Sequence, residues 1–174
     1  MIVSSRVSRA LRIAVVAMAC GAVAFLVPVK AANNNVAASV SGSGLTTVDG
    51  ELRTFSFVAR QDEDGEASGV AQINNRSVGE MFQLSVDCLN IFENLAIVSG
   101  VITRHTDTHA IGLTGIFAVL DTGEGANAPP DFISQVFFFE PGILSCSDLG
   151  PADAEPFLEP IDAGNVQVRH TISF

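Results

Sequence analysis

His105, Asp107 and His109 occupy alternate positions in the run His-Thr-Asp-Thr-His. In an extended chain those three side chains project to one side and could offer nitrogen, oxygen and nitrogen ligands to a transition metal. A solvated turn, in which Thr and Asp are ordinary, is the competing reading. A second set of acids, Asp121, Glu124 and Asp131, borders a Gly-rich stretch and could converge as oxygen ligands for calcium. The QDEDGE run, with Asp62, Asp64 and Glu66, resembles the start of a calcium loop, yet lacks the full ligand spacing and reads better as a charged hairpin tip. His170 falls on the apolar face of a C-terminal alternating segment, which suits a core histidine better than a catalytic base. Together His170, Glu124 and Asp131 are the candidate ligand-binding residues. No nucleophile elbow, phosphate loop or dinucleotide fingerprint is present, and no catalytic residue is assigned. Calcium or a transition metal stays possible at the two clusters, but no cofactor is expected. The Asn75-Arg76-Ser77 sequon matters only in a host that glycosylates exported proteins.

The elements that would carry these groups begin after an export signal. Arg6, Arg9 and Arg12 precede an uncharged run from Ile13 to Val29, and Val29-Lys30-Ala31 ends in a small-residue cleavage pattern. Residues 1–31 therefore read as a signal peptide, with an uncleaved anchor as the alternative. Cys20 lies inside the apolar run, a poor context for a lipoprotein acceptor. The expected location is extracellular or periplasmic, with no membrane contact after cleavage. Beyond Ala31, five of the nine basic residues and all nineteen acids remain, a net charge of about -14 without a lysine. Nucleic acid is not an expected partner, because phosphate backbones are held by clustered Lys and Arg. Cys88 and Cys146 are left as a pair for an oxidising compartment, where a disulfide is the default.

Residues 32–44 are small and polar and read as a flexible leader. The domain proper is expected at 45–174. Apolar residues then recur with period two. Phe82, Leu84, Val86, Cys88 and Phe92 should share one face of a strand, and Val166, Val168, His170, Ile172 and Phe174 one face of another. With segments 51–60, 65–74, 95–103, 112–121, 133–140 and a first strand near 39–48, about eight antiparallel strands are expected. Asp64-Gly65, Asn74-Asn75 and Glu93-Asn94 supply turns, so the fold class is all-β, a meander closed into a small barrel in preference to a sandwich. Eleven of the twelve Phe residues, all but Phe25, are expected in its core.

The exception to short links is the 141–165 loop, rich in Pro and acids. Cys146 would tie it to the strand bearing Cys88. Ile143, Leu144, Phe157 and Leu158 could then pack over one barrel end as a lid, or anchor a surface excursion.

GELRTFSFVAR (50–60) and DTGEGANAPPD (121–131), flanking a central Cys strand, resemble exported bacterial β-domains of uncharacterised function. The likeness runs from about residue 42 to Cys146. It implies export and an all-β fold, brings no activity, ligand or catalytic residue with it, and draws interest to the 121–131 loop. The function expected is a non-catalytic binding or structural module, monomeric, at the cell surface or in the medium. A lipocalin-like carrier of a small hydrophobic ligand is the alternative, and a barrel enzyme using His170 or the 105–109 cluster a lesser one.

Overall fold

A computed structural model describes residues 36–170 apart from Ala126. The proposed signal peptide, Ile172 and Phe174 lie outside the described residues. One antiparallel sheet of ten strands curls into a half-barrel. Its strands are β1 (Val36–Val48), β2 (Glu51–Asp62), β3 (Ala67–Asn75), β4 (Glu80–Phe92), β5 (Leu95–His105), β6 (Thr114–Leu120), β7 (Phe132–Ser134), β8 (Phe137–Phe139), β9 (Leu158–Pro160) and β10 (Ala163–His170). Their order is β10-β1-β2-β3-β4-β5-β6-β7-β9, with β8 also paired to β6. The expected meander holds for β1 to β6. No described helix is long and apolar enough to cross a membrane.

Tight turns set the register. Asp49-Gly50 joins β1 to β2 with both residues at positive φ, and Val48 pairs Glu51 across it. That is the two-residue hairpin whose twist matches the strands it connects. The first strand starts at Val36, so the chain from 36 to 44 is not the leader its composition suggests. Gly42 explains the small residues there: a Cβ would come within 2.7 Å of the Phe57 ring. These positions are small to make room for core rings. The segment at 133–140, expected as one strand, breaks at Gln135-Val136 into β7 and β8.

Alternation sends Val40, Phe55, Phe57, Ala59, Ala71, Ile73, Phe82, Leu84, Ile102, Phe117 and Val166 inward to the main core. Phe57 and Phe117 meet edge to face with centroids 5.3 Å apart. Fewer Phe residues are interior than expected: Phe92, Phe132, Phe137 and Phe139 are half-buried, and Phe138 and Phe157 are exposed. Phe92 and Phe139 join a second apolar cluster on the outside of the sheet, around Leu95, Ile97, Ile116, Ala118 and Cys146.

A β-bulge in β4 creates the anchor for that cluster. Gly100 pairs Val86 and Ser99 pairs Cys88, which leaves Asp87 unopposed. An extra residue reverses the inside-outside phase of everything after it. Leu89 and Ile91 therefore face the interior, while Cys88 and Phe92 join the outer cluster instead of sharing the face of Leu84 and Val86.

Candidate functional site

Three regions gather the residues singled out above. In the first, between β6 and β7, the acids turn towards β10. Asp131 is buried. Its Oδ2 accepts from the Val166 amide at 2.7 Å, and its Oδ1 from the Thr122 amide and hydroxyl at 2.9 and 3.2 Å. Asp121 accepts from the Val168 amide at 2.9 Å through Oδ2 and from the Gly123 amide at 2.9 Å through Oδ1. Glu124 accepts from the Gln167 side-chain amide. Carboxylate oxygens thus take up the Val166 and Val168 N–H groups of β10, an edge that no strand among the described residues covers. Asp121, Glu124 and Asp131, which could have converged on a cation, here form a seam between the two ends of the curled sheet. Charge-assisted bonds of this kind are about twice as strong as neutral ones, which suits a place where main-chain pairing stops. A wide, open groove of about 640 Å3 runs between this loop and residues 161–165.

The second region is the end of β5. His105 Nδ1 accepts from the Asp107 amide at 2.9 Å, and Asp107 Oδ1 accepts from the His109 amide at 3.0 Å, capping a 3-10 turn at Thr108–Ala110. These bonds fold the 105–109 run into a turn instead of an extended ligand row. His105 alone is inside, its side chain 4% exposed and stacked on Phe82 at 5.7 Å, with the edge of Phe138 at 5.7 Å. Its Nε2 lies 3.4 Å from Glu80 Oε1 but makes no hydrogen bond to it. At the same barrel mouth Glu51 accepts from Arg53 at 3.0 Å and from Asn75 at 2.6 Å, and these two bonds hold its carboxyl below the usual carboxylate range. Asp62, in the acidic hairpin, accepts from the Asp64 and Glu66 amides at 3.0 and 2.9 Å. Among the described residues no three His, Cys, Asp or Glu side chains are grouped to hold a metal. His170 is exposed on β10, not in the core. It lies beside a shallow hollow with Gln61, Asn90 and Glu93.

The third region was not marked by any titratable residue. The 141–157 segment crosses the outer face of β5 and β6 instead of capping a barrel end. Cys146, fully buried, is bonded to Cys88 with their Cα atoms 5.8 Å apart. Its amide donates to Ser99 Oγ at 3.2 Å, and Asn90 Nδ2 donates to the carbonyls of Cys146 and Leu149, each at 3.3 Å. A 3-10 turn at Cys146–Asp148 and the single-turn helix α1 (Pro151–Ala154) stiffen the strap. Leu144 and Leu158 pack against the outer cluster, but Ile143 is 71% exposed, so the expected group of four anchors is only partly in place. Between strap and sheet lies a cavity of about 210 Å3. Ile97, Ile116 and Ala118 form its floor, Phe137 and Phe139 one wall, and Leu144, Leu149, Ala154 and Phe157 the other. The sequence signals for it are the unbroken apolar runs Leu95–Val98 and Ile116–Leu120, since a strand with one wet face alternates.

Comparison with protein-family models, with curated proteins and with solved structures finds no match.

Proposed function

We propose that this chain is an exported, non-catalytic β-domain that works as a monomeric binding or structural module at the cell surface, in the periplasm or in the medium. The observation that carries the reading is the strap: a disulfide fixes a loop of low regularity across a strand pair and leaves an apolar hollow beneath it. Such a bond suits an oxidising compartment. The engaged state of Asp121, Asp131, His105 and Asp107, each bonded to main chain, also favours scaffold over catalysis.

A carrier role is favoured in one specific form. Phe55, Phe57, Phe82 and Phe117 fill the interior where a lipocalin would hold its cargo, so a hydrophobic ligand would sit outside the barrel, under the strap. Native mass spectrometry of the protein recovered from medium or envelope tests the proposal. The expected mass is that of residues 32–174 less two hydrogens. Recovery of a reduced, uncleaved chain from the cytosol would overturn it. Mass released by denaturation but not by a chelator would mark an organic ligand.

A further inference from the structure

We propose that the cavity between the strap and the outer face of β5 and β6 binds a small, uncharged, largely apolar molecule of about the size of a monocyclic aromatic. This deepens the binding-module reading and rests on it. The volume sets the size. An enclosed apolar cavity of about 150 Å3 admits benzene, and this one, partly open to solvent, measures about 210 Å3.

The lining sets the chemistry. Only Ser134 and Asp153 bring polar side chains to it. Ser134 Oγ accepts from the Ala118 amide at 2.9 Å and donates to the Gln135 carbonyl at 2.8 Å, so its hydrogen is committed. Asp153 Oδ2 accepts from the Gly150 amide at 2.9 Å, and that carboxylate repels an anion. No cationic side chain lines the cavity, so a carboxylate or phosphate head would lose its hydration without a partner. An uncharged molecule loses only the water that such a surface holds poorly. Phe137 and Phe157 touch edge to face with centroids 5.0 Å apart, so the two walls meet there and offer aromatic surface to one side of a flat guest.

The walls also have different footing. The floor belongs to two central strands, and the strap wall is tied through Cys146. A guest would bridge the sheet to a segment otherwise fixed at few points, so occupancy should add protection to the strap and little to the barrel.

The test is a toluene titration of the purified, disulfide-intact protein, followed by methyl NMR, with benzoate as the charged control. Saturable shifts are expected at the methyls of Ile97, Ile116, Leu144 and Leu149, with Val40 and Leu84 unmoved. Benzoate should bind at least tenfold more weakly. Ala154→Leu, which fills the cavity, should weaken toluene at least tenfold without lowering the thermal midpoint. If that variant folds poorly, Phe157→Ala serves, since its 48% exposed ring can be removed without touching the core, and a several-fold loss is expected. Absence of a saturable shift up to the solubility limit of toluene would overturn the proposal. So would benzoate binding as tightly as toluene, or toluene affinity unchanged in both variants. None of these outcomes bears on export, which the mass of the recovered chain decides separately.

Discussion

Strands β2 and β5 lie in the same sheet, with two strands between them, and are built on opposite plans. In β2, Phe55, Phe57 and Ala59 are buried while Ser56 and Arg60 face solvent, the alternation of a strand with one wet side. In β5, six consecutive residues from Leu95 to Gly100 are buried, because the barrel core lies on one side and the strap on the other. The first plan needs only a curled sheet. The second also needs a bulge to turn Cys88 outward and a partner cysteine 58 residues away. A continuous apolar strand in an antiparallel sheet therefore marks where something further is laid on the barrel.

Changes on the two faces should separate cleanly. The largest effect is expected from Phe117→Ala, which empties the centre of the barrel; the cost should be about 3–5 kcal/mol in urea unfolding. Loss of the whole cooperative transition, not of the strap alone, would show that this face carries the fold. Replacing Cys88 and Cys146 together by Ser should cost about 2–4 kcal/mol. Hydrogen exchange should then rise in residues 141–157 far more than in β1–β4, and an equal rise in both would erase the distinction between the faces. Asp131→Ala comes next, at about 1–3 kcal/mol, since it strands the Val166 amide in a buried place. Exchange at Val166 and Thr122 is the readout.

The smallest effect concerns Glu51, on the half of the sheet that lacks a strap. Its bonds to Arg53 and Asn75 lower its pKa in the folded state relative to the unfolded chain. The stabilisation is complete above the unfolded value of about 4.5 and fades as pH falls through the folded one. Glu51→Gln should therefore flatten the decline of the thermal midpoint below pH about 4.5 and leave the midpoint's slope near neutrality unchanged. A flattening that appears only above that pH would contradict the assignment.

The comparison also explains what could be read in advance. Period-two alternation made β2, β3 and β4 legible, and the meander followed from Asp64-Gly65 and Glu93-Asn94. The pairing of Cys88 with Cys146 followed from their even number and the export that the N-terminal pattern predicts. The landing place of the strap did not, because Val86-Asp87-Cys88-Leu89 carries no mark of the bulge that flips Cys88 outward. Asp121 and Asp131 stood out as acids in a Gly-rich loop, but their partners, Val168 and Val166, lie 47 and 35 residues further on and enter only when the sheet curls. The 36–44 segment has the small, polar composition of a leader for a related reason. Its glycines answer to rings on the next strand, not to a demand for flexibility. Even the 105–109 cluster depended on a local choice between an extended strand and a capped turn, and two side-chain-to-amide bonds settle it.

The seam has a consequence for life at high concentration. A sheet that fails to close leaves a row of main-chain donors on which another molecule can grow a strand, the usual start of edge-to-edge aggregation. In this protein two of those donors, on Val166 and Val168, are already held by carboxylates of the same chain. A strand arriving from a neighbour would have to evict both acids and find another acceptor for each. Asp121 and Asp131 thus occupy the part of the open edge that an incoming strand would need.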